Sequence, residues 1–306
     1  MWEADKLIFR GVSSYVRAYR GSELVWELPD EETAFCITAL ENTDITFETV
    51  GTFTDSNIAN KNFQIKINRG EWQQWDGSTV SLSSGQKMYI YSNDSYQLSQ
   101  TDEIYRHITS TGNINVSGLA GSLINYSVAL PKFSFACLFR DCTTLINSNE
   151  LILNWTTATE RCYSAMFSGC ANMITAPELP ATTLQVSYCY NSMFLGCTSL
   201  TVAPALPAEK LVTGCYNRMF GGCTSLTAAP LLPAVSLSTY CYRNMFNGCS
   251  SLNYIKAMFT TKPGASYTGT WVDGVSSTGT YVKNKNATYT TRGTSAIPSG
   301  WTIETA

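Results

Sequence analysis

The chain has 306 residues, which is enough for two average domains or for one domain followed by a repeat array. Only 14% of its residues are charged, and the net charge of −3 excludes a basic field that would attract nucleic acid or an anionic membrane. A single histidine, His107, also excludes chemistry that needs several imidazoles.

The start of the sequence does not resemble an export signal. The first residues, Met-Trp-Glu-Ala-Asp, lack a basic stretch followed by an apolar run. No segment reaches the ~18 to 20 apolar residues that a membrane span needs. We therefore expect a protein that folds in a cytoplasm with reduced cysteines and does not insert into a membrane.

The first third of the chain has the pattern of β-structure. Apolar and polar residues alternate on both sides of Arg20-Gly21, which predicts a hairpin within residues 1–30. Residues 31–116 contain short alternating segments that end at turn signals such as Asp76-Gly77. Turn signals at this frequency predict a small sandwich-like domain.

The predicted domain contains a candidate glycan platform. Trp72 and Trp75, with Tyr89 and Tyr91 nearby, have the flat rings that stack on sugars. Residues three apart on a strand face opposite sides, so we expect one of the two tryptophans to lie in the core. Hairpin packing is the alternative role for both.

The second half of the chain is a repeat array. Four segments share the sequence Cys-Tyr-x-x-Met-Phe-x-Gly-Cys, and a degenerate fifth with Cys137 and Cys142 precedes them. The final cysteines of the five segments are 28, 27, 26 and 26 residues apart. A period near 26 lies within the range of leucine-rich repeats.

The spacing inside one repeat predicts a helix. Cys189, Met193 and Cys197 fall at i, i+4 and i+8, which would form one apolar helix face of about two turns. Gly196 would end that helix, and the prolines that follow exclude helix. Each coil is therefore predicted to contain a short strand, a proline-bearing turn and a helix, stacked on its neighbours around a shared core.

The repeated cysteines are predicted to fill columns of that core as small buried residues. They are Cys162, Cys170, Cys189, Cys197, Cys215, Cys223, Cys241 and Cys249. Adjacent stacked coils would be close enough for disulfides between their cysteines, but a cytoplasmic origin disfavours such bonds. Zinc is disfavoured because there is no Cys-x-x-Cys pair. We predict no catalytic residue, no cofactor and no metal.

The positions that differ between repeats indicate a partner-binding surface. These positions follow the Cys-Tyr pair or directly precede it, where the predicted helix would face outward. The candidate residues are Tyr188, Asn191, Asn217, Arg218, Tyr240, Arg243 and Asn244. Ordinary variation of a solvent-facing surface is the alternative explanation for any one of them.

Three segments of the sequence resemble parts of one known group of proteins. The repeat motif, with the Ala-Pro-x-Leu-Pro phrase between its copies, resembles BspA-type leucine-rich repeats over residues 134–259. Such repeats occur in surface proteins of gut anaerobes and in tail or head-fibre proteins of their phages. Residues 16–26 resemble an N-terminal leader of these virion proteins, and the ending Ile-Pro-Ser-Gly-Trp at 297–301 resembles their C-terminal cap.

Together these features predict an α+β chain in four parts. The parts are an N-terminal docking hairpin (1–30), an all-β, sandwich-like domain (31–116), a BspA-type leucine-rich-repeat solenoid with a short strand plus helix per coil (117–260) and a C-terminal β cap (261–306).

The resemblance implies a non-enzymatic phage virion protein, a fibre or appendage component that is assembled in the host cytoplasm and exposed outside. Its N-terminal region would bind other virion proteins, and its repeats would bind a host-surface protein or polysaccharide. A homo-oligomer is compatible with this role. One alternative is a bacterial cell-surface BspA-like adhesin. Another is a glycan-processing enzyme that would use a carboxylate pair from Asp94, Asp102 and Glu103.

Overall fold

The structure, a computed structural model, consists mainly of small β-sheets and ribbons of turns. Two four-residue α-helices and one 3-10 turn are the helical segments of the described residues. The predicted α+β solenoid with a helix in each coil is therefore wrong. Among the described residues, no helix has the length and apolar character to cross a membrane. The structure describes residues 4–7, 15–20, 23–26, 34–59, 62–94, 96–125, 127 and 130–306.

The N-terminal segment contains a three-stranded antiparallel sheet. Its strands are β1 (Ala4–Leu7), β2 (Tyr15–Arg20) and β3 (Glu23–Trp26), in the order β1-β2-β3. Arg20 pairs with Glu23 across β2 and β3. The predicted turn residue Gly21 and much of the proposed docking segment lie outside the described residues.

Two sheets pack face to face between residues 34 and 119. Their elements are β4 (Phe35–Ala39), β5 (Thr43–Val50), α1 (Ser56–Ala59), β6 (Phe63–Ile67), β7 (Gln73–Trp75), β8 (Val80–Leu82), β9 (Lys87–Ser92), β10 (Tyr105–Ser110) and β11 (Ile114–Leu119), joined by β12 (Leu145–Ile152) from the first repeat. The strand orders are β10-β5-β8 and β12-β11-β4-β9-β6-β7. The ring of Phe47 lies 4.9 Å from that of Phe63 and 5.8 Å from that of Trp75, which joins the two sheets through their apolar faces.

The sandwich and the repeats share one hydrophobic core. β12 pairs in parallel with β11, so the predicted boundary at residues 116–117 falls inside a paired strand. Ser122, in the 3-10 turn Ala120–Ile124, is fully buried at this junction. Its hydroxyl accepts the N–H of Phe35 and donates to the carbonyl of Ile90, both at 2.8 Å.

Each repeat motif forms a ribbon of overlapping four-residue turns in place of the predicted helix. In the motif that begins at Cys189, every second N–H donates to the carbonyl three residues earlier. The N–H groups between them donate to carbonyls of the next motif at 2.7–3.0 Å. An α-helix would keep all these hydrogen bonds within one motif. Left-handed residues at Tyr188, Ser192 and Gly196 (φ 61, 55 and 76°) also interrupt any helix.

Regular strands are sparse between the motifs. β12 lies between the degenerate motif and the first full motif, and β13 (Thr157–Ala158) pairs in parallel with β14 (Thr183–Leu184). After the last full motif come β15 (Tyr254–Ala257), α2 (Ala265–Thr268), β16 (Thr280–Lys283) and β17 (Thr302–Thr305). β15, β16 and β17 form a parallel sheet beyond the last full motif, which extends the stack to the C-terminal end of the chain.

The stacked turns place equivalent side chains above one another. One column consists of Tyr163, Tyr190, Tyr216 and Tyr242, with ring centroids 5.3–5.9 Å apart. A second consists of Phe167, Phe194, Phe220 and Phe246, with spacings of 5.6–5.9 Å. Trp271 is fully buried and contacts the last ring of each column, so it closes both.

All eleven cysteines are buried free thiols. Those that end the full motifs donate to a phenylalanine carbonyl of the preceding motif; the Sγ of Cys197, for example, lies 3.1 Å from the carbonyl oxygen of Phe167. Burial raises the pKa of Cys189 and of Cys249 to about 12. These two thiols therefore remain protonated at neutral pH, the form in which a thiol is a poor nucleophile.

Two tyrosine hydroxyls in the aromatic column lack partners. The Oη atoms of Tyr163 and Tyr242 are buried with no hydrogen bond in the described part of the chain. Phenylalanine keeps the stacked ring and removes the unsatisfied group. Tyr163→Phe and Tyr242→Phe should therefore each raise the free energy of unfolding by about 1 kcal/mol, measured by urea denaturation.

The control is Tyr281→Phe. The hydroxyl of Tyr281 is also buried, but it lies 3.2 Å from the hydroxyl of Tyr289, so this variant should lose stability. A loss of equal size in Tyr163→Phe and Tyr242→Phe would show that their hydroxyls have partners.

Candidate binding groove

Two columns of side chains line the outer face of the turns. The first occupies the left-handed position in the middle of each motif: Ala165, Ser192, Arg218, Asn244 and Thr270. The second lies three residues later in each motif: Ser168, Leu195, Gly221, Asn247 and Asp273. Because stacking brings equivalent positions together, a change in one motif alters a surface formed by three motifs.

Gly221 interrupts the second column and opens a groove of about 360 Å³. The groove is lined by Leu195, Arg218, Gly221, Gly222, Asn244, Asn247 and Gly248. The backbone does not require glycine at 221, because its φ lies outside the left-handed region, whereas Gly222 has φ 72°. The groove therefore exists because this one motif lacks a side chain between Leu195 and Asn247.

The groove combines donors on its walls with acceptors on its floor. The exposed Arg218 guanidinium has no partner in the described part of the chain, and Asn247 contributes a half-buried amide. The Oδ1 of Asn244 accepts a hydrogen bond from the Thr270 hydroxyl, which leaves its NH2 group for the groove. The carbonyl oxygens of Arg218 and Asn244 lie 3.5 Å from the position that a Cβ of Gly221 would occupy.

The other arginines of the repeats are engaged. Arg140 forms an ion pair with Asp141 at 3.7 Å, and Arg161 forms one with Asp102. The guanidinium of Arg243 lies 5.1 Å from the ring centroid of Tyr240. Arg218 is therefore the repeat arginine with neither an ion pair nor a ring contact in the described part of the chain.

Two of the predicted surface residues connect motifs. The Nδ2 of Asn217 donates to the Oδ1 of Asn191 at 2.7 Å, and the Nδ2 of Asn191 lies 3.3 Å from the hydroxyl of Ser164. The Oδ1 of Asn217 is buried without a partner in the described chain. The two asparagines thus form a ladder between adjacent motifs and do not line the groove.

The two predicted tyrosines lie two motifs apart. The guanidinium of Arg161 stacks 4.9 Å from the ring centroid of Tyr188. That ring covers Gly214, where a Cβ would clash with it. Tyr240 is 38% exposed and contacts Arg243. The structure does not bring these tyrosines into one site with Arg218.

The predicted glycan platform is divided between two faces of its sheet. Trp75 is 4% exposed in the core, and its indole N–H donates to the carbonyl of Ser78 at 2.7 Å. Trp72 is half-buried on the opposite face, 4.7 Å from the ring of Tyr91 and 5.7 Å from the Nζ of Lys66. The two tryptophans do not form a joint stacking surface.

Two of the three carboxylates considered for enzymatic chemistry, Asp94 and Asp102, have structural contacts. Asp102 pairs with Arg161, and the Oδ2 of Asp94 accepts the N–H of Asn62 at 3.1 Å. The Nδ1 of His107 donates to the carbonyl of Arg140 at 3.1 Å, which joins β10 to the degenerate motif. No cluster of His, Cys, Asp and Glu suited to a metal ion occurs among the described residues.

No protein-family model, curated protein or solved structure matches the chain. Of the seven residues predicted for the partner-binding surface, Arg218 and Asn244 line the groove. Sequence reasoning missed Leu195, Gly221 and Asn247. The available signal was the Gly-Gly pair at 221–222, where the other full motifs have a single glycine.

Proposed function

We propose that the chain is a non-enzymatic structural and adhesion protein of a phage virion. It would be a fibre or appendage component whose repeats bind a molecule of the host surface, while its N-terminal region binds other virion proteins. The observation that best supports this proposal is the groove at Gly221, a recess with polar lining at the one full motif that has two successive glycines.

The rigidity of the repeats supports a binding role. Backbone hydrogen bonds and aromatic columns join each motif to the next, so the outer side chains are held in place before a ligand arrives. A site on a rigid scaffold loses little conformational entropy on binding. The resemblance of the motif, the N-terminal phrase and the C-terminal ending to phage proteins favours a virion over other locations.

Purified particles test the location. Mass spectrometry and immunogold microscopy with an antibody against residues 130–306 should find the chain on particles from infected cells. The same antibody should reduce adsorption of the particles to host cells. Finding the chain only in the envelope of uninfected bacteria would overturn the proposal in favour of a cell-surface adhesin.

Incubation of the chain with host polysaccharide tests the absence of catalysis. We expect no release of reducing ends. Hydrolysis that is lost in Asp102→Asn or Glu103→Gln would overturn the non-enzymatic assignment. Arg161→Gln is the matched control, because it breaks the ion pair of Asp102 while keeping the carboxylate.

A further inference from the structure

We propose that the groove at Gly221 binds an acidic saccharide, with the carboxylate of a uronic acid at Arg218. This inference rests on the proposed surface-binding function and adds the class of ligand. The groove, the unpaired guanidinium and the arrangement of donors and acceptors carry it together.

The lining fits a ligand that both donates and accepts hydrogen bonds. The Asn244 and Asn247 amides offer N–H donors along one wall, and the carbonyl oxygens of Arg218 and Asn244 offer acceptors near the floor. Each of these carbonyls accepts one turn N–H, at 3.1 and 3.2 Å, and retains a second lone pair. Leu195 supplies the one apolar side chain. A sugar ring, with hydroxyls around its edge and little apolar surface, matches this composition.

The charge of the groove selects an anionic group. Arg218 is the only charged residue of the lining, and no carboxylate of the described chain pairs with it. A planar guanidinium binds a carboxylate through two parallel hydrogen bonds. The exposed Asp273 follows Asn247 in the second column, one motif beyond the groove. Its negative charge disfavours a second anionic group on that side.

The size of the groove fits a short oligosaccharide segment. Its volume of about 360 Å³ is at the lower end of the ~300 to 1,000 Å³ of small-molecule sites. It lies on the outer face of the turns, so a chain longer than one ring can continue over neighbouring motifs. This geometry suits an internal residue of a polysaccharide.

Calorimetric titration with two uronic acid oligosaccharides tests the proposal. The probes are tetragalacturonate and a tetrasaccharide of alternating glucuronic acid and N-acetylglucosamine, each compared with its carboxyl-reduced, neutral form. At least one acidic probe should bind, and reduction of its carboxylates should weaken binding by about tenfold or more, because a charge-assisted contact is lost.

Three variants locate the site. Arg218→Gln should weaken binding by about tenfold or more, and Arg218→Lys should restore only part of it, because lysine lacks the bidentate geometry. Gly221→Leu should abolish binding by filling the groove. Its Cβ would lie 3.0 Å from the Cδ1 of Leu195, so that side chain must shift, and the thermal midpoint of the variant checks that the fold is kept. Arg243→Gln is the matched control and should bind as the unmodified chain does, because Arg243 does not line the groove.

Failure of the acidic-saccharide proposal can be distinguished from failure of the proposed virion function. If neither acidic probe binds, or if the neutral forms bind equally and Arg218→Gln has no effect, the acidic-saccharide assignment is overturned. The particle and adsorption experiments above then decide the virion function separately. If Gly221→Leu and Arg243→Gln weaken binding equally, the ligand lies elsewhere on the outer face and the assignment to this groove is wrong.

Discussion

Raising the pH from 8 to 10 is expected to lower the free energy of unfolding by several kcal/mol. Burial raises the pKa of Cys137, Cys189 and Cys249 to about 12 and that of Cys241 to about 11. In the unfolded chain the pKa of a cysteine thiol is about 8.5. Above that pH the folded state binds more protons than the unfolded state, so stability present at neutral pH is lost as the pH rises towards the folded-state pKa.

The size of this effect follows from the linkage. Each thiol contributes roughly 1.4 kcal/mol per pH unit between its unfolded and folded pKa, which amounts to about 2 kcal/mol by pH 10. Four such thiols together approach the whole ~5 to 15 kcal/mol that stabilises a typical domain. The protein should therefore be much less stable to urea at pH 10 than at pH 7.

Urea denaturation at pH 7, 8, 9 and 10, followed by tryptophan fluorescence under reducing conditions, measures the slope. Cys189→Ala should reduce the dependence above pH 9 by roughly 1.4 kcal/mol per pH unit, the contribution of one thiol. Stability that stays constant from pH 7 to 10 would contradict the burial of the thiols. A slope that Cys189→Ala leaves unchanged would assign the effect to other groups.

Trp271→Ala should cost about 3 to 5 kcal/mol, the largest loss that we expect from a single core substitution. Trp271 is fully buried and lies at the end of both aromatic columns, 6.3 Å from Tyr242 and 6.1 Å from Phe246 between ring centroids. Its indole N–H also donates to the carbonyl of Ala296 at 2.7 Å. Alanine would open a cavity beneath the last full motif and leave that carbonyl without this donor.

Two variants separate packing from hydrogen bonding. Trp271→Phe keeps part of the stacked ring and loses the N–H, so it should cost less than Trp271→Ala. Trp72→Ala removes a half-buried tryptophan on the sandwich surface and should also cost less. If Trp271→Ala is no more destabilising than Trp72→Ala in thermal or urea denaturation, Trp271 does not close the columns.

The sequence indicated only some of the residues that line the candidate groove. Arg218 and Asn244 stood out because they differ between motifs, but the same criterion selected Asn191 and Asn217, which hydrogen-bond to each other between motifs. Leu195 and Asn247 belong to motifs on either side of Gly221. Their shared role as walls depends on which atoms stacking brings together, and no spacing within one motif encodes that.

The repeat period and its buried positions could be predicted from the sequence, because identical apolar residues recurred at a fixed interval and needed a common core. The local structure could not. The spacing of Cys189, Met193 and Cys197 fits both a helix and a ribbon of four-residue turns, because both bury every fourth side chain. Stacking decided between them: alternate N–H groups find acceptors only in the neighbouring motif. The same stacking turned the missing side chain at Gly221 into a groove.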